Sequence, residues 1–586
     1  MFGTLKRGLA ALVCACMMTV MLVACGGDGS SSGSQGGAGS SGSTGGASGS
    51  ASGGGSGEMV TVKVGYGLDP TLEFQGGETI ESNSWTDLYA ENGIKLEIVY
   101  NVESTQKDEK LAQMIMSGDY PDFMNVSNAY FLDWAKQGVF LDLAPYFDEY
   151  ASDLTKAYYQ TEYGKKALDS ATVDGKLYAL PAASAGYDGL PVLWIRQDWL
   201  DNLNMEVPKT TEQFYELAKA FTEQDPDGNG QDDTYGLVLN GKDVFSDNGG
   251  LDQFFQMFGA VPGIVGSTIT FIDNGGQAVY GGSLIEESKA ALTMLNDMYN
   301  NGYIPRDFVT AGADQVNQQL AAGSAGMVIS RMYCMGTPWK DALATQPNAE
   351  FIAAVLPGVT EAQMGQSFYT STPAGFYCLN SGSEDLIEQY FTIINLGVAY
   401  LAQPDTLSQE DYEKYNGKAG QYTGWQLCLA TYGNPIKNLE ALPKHQNAIA
   451  TGDTSALNAE NLRDYNAMQD YVQNKDRRDE LNETELAAFD SGLFFWSVWG
   501  APKCSYAAID EMIKLGNISF SAYDAPLTDA MIEHSTTLDT LAKETIIDIV
   551  NGNRPVDYYD EFIETWNSLG GAEITAEANE WYQSVK

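Results

Sequence analysis

The segment DPDGNGQDDTYG, residues 225–236, places oxygen-bearing side chains at alternate positions. Asp225, Asp227 and Asn229 stand at positions 1, 3 and 5 of a calcium-type loop, and Asp233 at position 9. Gly230 falls at position 6, where such a loop turns sharply, and Gln231 at position 7 offers its backbone carbonyl. Calcium takes six to eight hard oxygens, and this spacing folds alternate side chains round one centre. Position 12 is Gly236 instead of the usual bidentate glutamate, and Asp232 is the nearby carboxylate that can substitute. The expectation is a Ca2+ ion with a structural role. The same residues also suit an acidic turn with no metal.

Agents for catalysis are scarce elsewhere. The chain has only two histidines, His445 and His534, and neither lies in an HExxH pattern or a Ser-His-Asp arrangement. GxGxxG and GxSxG matches (GAGSSG, GSSSG) fall in a glycine/serine stretch, not between a strand and a helix. GLVLNGKD, 236–243, resembles a P-loop, but Asp243 replaces the Ser/Thr that would hold magnesium. Paired carboxylates for glycosidase chemistry remain a formal alternative among 78 acidic residues. The reading is a binding protein, not an enzyme.

The N-terminus bounds the compartment. MFGTLKRGLAALVCACMMTVMLVAC has a basic start at Lys6 and Arg7, then an apolar run shorter than the roughly 20 residues a membrane-spanning helix needs. Its end, LVAC, resembles a bacterial lipoprotein signal, which implies cleavage after residue 24 and a lipid on Cys25. Residues 26–57 are almost wholly Gly, Ser and Ala and cannot build a core; such a linker spans roughly 30 Å root-mean-square. The formal charge is −46, or −48 without Lys6 and Arg7. Nucleic acid, which needs clustered Lys and Arg, is excluded as a partner, and anionic polysaccharides are disfavoured. Cys334, Cys378, Cys428 and Cys504 are far apart with no CxxC, and are expected to be mostly buried thiols.

Downstream, short apolar strands alternate with amphipathic helices. MVTVKVGYG reads as a strand, SWTDLYAENGIKLEIVY as helix, glycine turn and strand, and KDEKLAQMIMSGDYPDFMNVS as another helix and strand. The alternation predicts βαβ units with a parallel sheet. Thr210 and Gln213 fit a helix-starting capping box, Gly302 stops the helix that begins near 285, and the chain is mostly helical from about 382.

LWIRQDWLDNLNMEVPKTTEQF (193–214), the loop at 225–237, LNDMYNNGYIPRDF (295–308), AAGSAGM (321–327), AVLPG (354–358) and FIETWNSLGGAEITAEANEWY (562–582) together resemble the extracellular solute-binding proteins of ABC sugar importers, in the large Gram-positive lipoprotein branch. Asn204 stands where that family usually has glycine; Asn is the next best residue for a left-handed turn. In alginate-binding relatives an acid closes the calcium loop just after position 9, where this chain has Thr234.

The resemblance implies an α/β type II periplasmic-binding-protein fold: two discontinuous lobes, a hinge and an interlobe cleft. The expected division is a signal at 1–24, a lipidated tether at 25–58, one lobe from 59–182 and 312–405, and the other from 183–311 and 406–586. It further implies an oligosaccharide ligand, ABC permease subunits as partners, a membrane contact through lipid alone, and a monomer on the outer face of the cytoplasmic membrane. Aromatic and polar side chains at cleft-like positions suit sugars: Tyr130, Trp194, Arg196, Tyr333, Trp339, Trp425, Trp496 and Trp499. A surface ligand sensor and a receptor for peptides or other solutes are the alternatives.

Overall fold

The computed structural model describes residues 59–585, apart from 70, 71, 73, 75, 184, 185, 247, 266, 267, 337, 370–372, 374, 403–406, 418–423 and 526. The signal, Cys25 and the tether lie outside the described residues. Gly57–Lys586 packs as a unit of its own.

Hydrophobic side chains gather in four clusters that sort into two groups. Residues 62–182 and 376–432 build two of them. Residues 190–356 and 441–578 build the others. The chain therefore passes between the groups three times, near 183–190, 357–375 and 433–440. These are the two lobes. Their makeup differs from the expected division at one large segment: 312–356 belongs with 190–311. The reason is strand pairing, because Ala325–Ser330 and Phe351–Ala354 both hydrogen-bond to Val192–Arg196. Residues 424–432 likewise pack with the first lobe, through Leu427, Leu429 and Tyr432.

The sheets are mixed, not purely parallel. Val60–Leu68 runs parallel to Ile94–Glu103, the unit that the alternation predicts. Phe123–Val126 instead pairs antiparallel with Phe376–Leu379, a strand contributed after the second crossing. In the second lobe the order is Phe351–Ala354, Val192–Arg196, Ala325–Ser330, Tyr235–Leu237; only the last pair is parallel. Local signals hold well. Asn83 accepts hydrogen bonds from Trp85 and Thr86 and starts helix Ser84–Glu91. Asn204 ends helix Gln197–Leu203 in the left-handed region, φ 51°. At Thr210 only half of the predicted box forms: its hydroxyl accepts from Gln213 N, while the Gln213 side chain turns to Lys209 N.

The first and third crossings touch. Gly186 has φ +64°, and a Cβ there would stand 2.0 Å from the Pro435 carbonyl, so only glycine lets the two strands of chain pass. Tyr158 ties the same place together, accepting from Ala183 N and donating to Gly433 O.

Candidate functional site

In open α/β sheets ligands lie beyond the carboxyl ends of the strands. In the first lobe Phe123–Val126 delivers the chain there into helix Asn128–Lys136. In the second lobe Ala325–Ser330 leads to Arg331 and Tyr333, and Asn248 bridges to Ser330 at the same edge. The first two crossings meet the sheets on this side: Phe376 pairs with Val126, and Val192 with Ser330.

A groove with a cavity of about 480 Å³ opens between the lobes. Leu132 and Lys136, on the exposed turns of helix Asn128–Lys136, form one wall. The other wall is Thr528 and Asp529, at the start of helix Asp529–Val550, with Glu577, Glu580, Trp581 and Ser584 of helix Ala572–Val585. The last four recur at helical spacing and so share one face. Lys136 Nζ reaches Asp529 Oδ1 across the groove at 3.2 Å. Behind the wall, Trp581 is braced edge-on by Tyr523, ring centroids 5.2 Å apart. A second lysine of the first lobe, Lys166, lies 4.3 Å over the Phe520 ring of the second. An aromatic face among carboxylates, with one ammonium, suits hydroxyl-rich or amine-bearing solutes and repels anionic ones.

The eight residues selected from sequence divide evenly. Trp194 is buried in the second lobe and donates from Nε1 to Arg331 O. Arg196 is 1% exposed, because its guanidinium is consumed inside the lobe: both Asp198 oxygens, Gln346 Oε1 and Gly323 O accept from it. It also stacks over Trp199. Trp339 is buried edge-on against Phe351. Trp499 stacks on His445 and Phe495 and donates to Asn438 O. These four have no face to offer a ligand, and their apolar surface explains why: Trp is sheltered wherever its N–H finds an acceptor or the packing compensates. Tyr130 and Trp496 are half-buried, and Tyr333 and Trp425 are exposed. Tyr130, stacked on Trp134, shares a helix with Leu132 and Lys136. The structure brings none of the others together with that groove. Trp581, Glu577 and Glu580 were not singled out from sequence; their helical spacing was visible, but not the lobe they face.

The acidic loop joins helix Thr211–Glu223 to strand Tyr235–Leu237. It enters that strand at its amino end, where Tyr235 N donates to Ser324 O, so it lies at the opposite edge from Asn248 and Ser330. Asp225 has φ 48°, and Gly228 and Gly230 have φ 70° and 77°, giving the tight coil that alternate ligands need. Asp225 Oδ2 accepts from Gly230 N. Asn229 Nδ2 lies 2.9 Å from Asp227 and 3.2 Å from Asp233. Asp225 Oδ1 is buried with no hydrogen-bond donor. Burial, and the nearness of Asp225 and Asp233, push the Asp227 carboxyl above its ordinary range. Among the described residues no three His, Cys, Asp or Glu side chains meet as a closed metal cluster, and Asn229 Oδ1 accepts from Gln231 N at 2.7 Å. Thr234 is turned inward to Phe221 O. The convergent carboxylates and the orphaned Asp225 oxygen fit a hard cation.

Cys378, Cys428 and Cys504 are buried free thiols, and Cys334 is buried too. Burial raises the three thiols, Cys428 to about 12 and Cys504 to about 11. Among the described residues no helix is long and apolar enough to cross a membrane.

Two discontinuous lobes joined by three crossings, with a groove between them, form the architecture of type II solute-binding proteins. The chain belongs to the family of bacterial extracellular solute-binding proteins, which residues 75–372 match. It is 24% identical over 549 residues to Lipoprotein LipO of Bacillus subtilis, covering 91% of this chain and 94% of LipO. Over 205 residues it is 33% identical to the fructooligosaccharide ABC transporter substrate-binding protein FusA of Streptococcus pneumoniae, covering 33% of this chain and 34% of FusA. An extracellular solute-binding protein of Bifidobacterium longum subsp. infantis has the same fold, with TM-score 0.61 and 17% identity over 90% of this chain and 98% of that one. An EF-hand mutant of FusA in complex with fructo-nystose gives TM-score 0.55 at 16% identity, over 90% and 99% of the two chains. The family is one of binding proteins, not enzymes.

Proposed function

We propose that the chain is the lipid-anchored substrate-binding component of an ABC importer, and that it captures a neutral or amine-bearing oligosaccharide between its lobes for delivery to a membrane permease. The observation that carries this reading is the interlobe groove, where Trp581 stands among Asp529, Glu577 and Glu580. Aromatic faces stack on the C–H faces of sugars, and carboxylates accept from hydroxyls and amines. A uronate would meet three carboxylates and one lysine, at a cost that grows as water leaves the groove. Tyr130 extends the first-lobe wall; Tyr333, Trp425 and Trp496 are further candidate platforms. LipO, similar along nearly its whole length, supports the lipoprotein anchor at Cys25. FusA supports the sugar class.

The mechanism is lobe closure. A solute held by both walls stabilises the closed arrangement by its differential affinity, and the permease recognises that arrangement. Arg196, Trp194, Trp339 and Trp499 serve the interior packing of the second lobe. Calcium, when bound, supplies positive charge to a loop of like charges. Asp225, Asp227, Asn229 and Asp233 would hold it by side-chain oxygens, and Gln231 by its carbonyl. Its distance from the carboxyl edge of the sheet makes that role structural.

The test is tryptophan fluorescence of residues 57–586 titrated with neutral, amino and uronic oligosaccharides, followed by mass analysis of the recovered sugar. Saturable binding of uncleaved neutral or amino sugar is expected; binding confined to uronates, or cleavage, would overturn the reading.

A further inference from the structure

The hinge contains an ionic cluster that does not balance. Asp188 sits in the turn Gly186–Gly189 on the first crossing. Lys437 and Asn438 open helix Lys437–Thr451 on the third. Glu460, Arg463 and Asp464 come from helix Ala459–Asn474, which packs between that helix and helix Gln409–Asn416. Lys437 Nζ pairs with Glu460 at 2.7 Å. Arg463 gives its Nε and Nη2 to a single oxygen of Asp464, and its Nη1 to the Tyr412 hydroxyl, which belongs to the helix packed on the first lobe. Asp188 is met by Asn438 Nδ2 and by the Tyr506 hydroxyl, both neutral.

Three carboxylates thus share two cations. The shortfall has an address: Asp464 Oδ2 is buried and faces no donor. His445 does not make up the charge. It is fully buried against Trp499, and burial holds its imidazole down to about 4 despite the opposing pull of Asn461 and Glu460. Glu460 stays ionised, since Lys437 and Arg463 outweigh its burial. A dry site with an excess carboxylate keeps a proton to higher pH than a solvated one.

We propose that Asp464 in the hinge cluster holds an exchangeable proton, and that its loss shifts the lobes toward a more open, hydrated arrangement. This rests on the lobe-closure reading above. The protonated cluster is neutral and stays dry; the deprotonated one carries a net negative charge that only water or separation of the elements relieves. Asp188 and Tyr412 link the cluster to both sides of the hinge, so relief there moves the lobes. Burial pushes the Asp188 carboxyl up to about 6, and burial with Glu460 nearby pushes Asp464 up to about 7. Both are raised above the unfolded value of 3.8, so the cluster's contribution to stability is complete below that value and is lost as pH rises through about 6 to 7.

The experiment needs no solute, so its failure is separable from failure of the sugar-binding reading. The radius of gyration of residues 57–586 is measured by small-angle scattering across that pH window, for the wild type, Asp188→Asn and Asp464→Asn. The wild type should expand with a midpoint between about 6 and 7, and Asp464→Asn should stay compact throughout. Infrared difference spectra of the wild type supply a second readout independent of any variant's folding: a buried protonated-carboxyl band should vanish over the same window. A flat wild-type radius, an unchanged midpoint in Asp464→Asn, or no such band would each overturn the proposal.

Discussion

Arg196→Met separates packing from ligand contact. The substitution keeps an apolar stem over Trp199 and removes the guanidinium. Asp198, whose side chain is 24% exposed, then loses both of its charge-assisted bonds. Gln346 Oε1 loses a donor 2.7 Å away. Removing one partner of a buried ion pair costs about 3–5 kcal/mol; the residual hydration of Asp198 favours the lower end, about 3 kcal/mol. In a urea titration of residues 57–586 the midpoint should fall clearly below that of the wild type, with an unchanged slope. Sugar affinity at low denaturant should stay within about twofold, because no part of Arg196 reaches the groove. A tenfold loss of affinity with an unchanged urea midpoint would refute the reasoning and return Arg196 to the binding surface.

Calcium chelation should lower the melting temperature without touching sugar affinity; a site at 100 times its dissociation constant contributes about 2.7 kcal/mol, and Asp227→Asn should abolish the response. Trp581→Ala should weaken sugar binding about tenfold and cost less stability than Trp499→Ala, which should lose about 3–5 kcal/mol, both read by paired titration and urea melts. Lys136→Glu sets like charges side by side at the groove mouth. As both partners are exposed, the change should stay within about 1 kcal/mol and fade with added salt, which a titration at two ionic strengths checks.

Much of the fold was legible because its signals are local. Asn204 and Gly302 terminate helices in the left-handed region as their side chains dictate. The apolar run AGMVIS forms a wholly buried strand. What pairs with that strand was not legible: Ala325–Ser330 chooses Val192–Arg196, about 130 residues away. That choice moved 312–356 into the other lobe. The site suffered for a related reason. Tryptophan beside Gly and Pro looks like a loop platform, yet Trp339 and Trp499 fill the second lobe because their neighbours form helical turns and bring Phe351 and His445 over them. Trp581 carries no local mark at all; only the approach of helix Asn128–Lys136 from the other lobe makes it a wall.

The most direct test of the central claim is isothermal titration of residues 57–586 with matched neutral, amino and uronic oligosaccharides, with the sugar recovered and weighed by mass spectrometry. One neutral or amino sugar should bind per chain, be recovered intact, and lose affinity in Trp581→Ala. Binding only of uronates, undiminished binding in that variant, or a shortened sugar would contradict it.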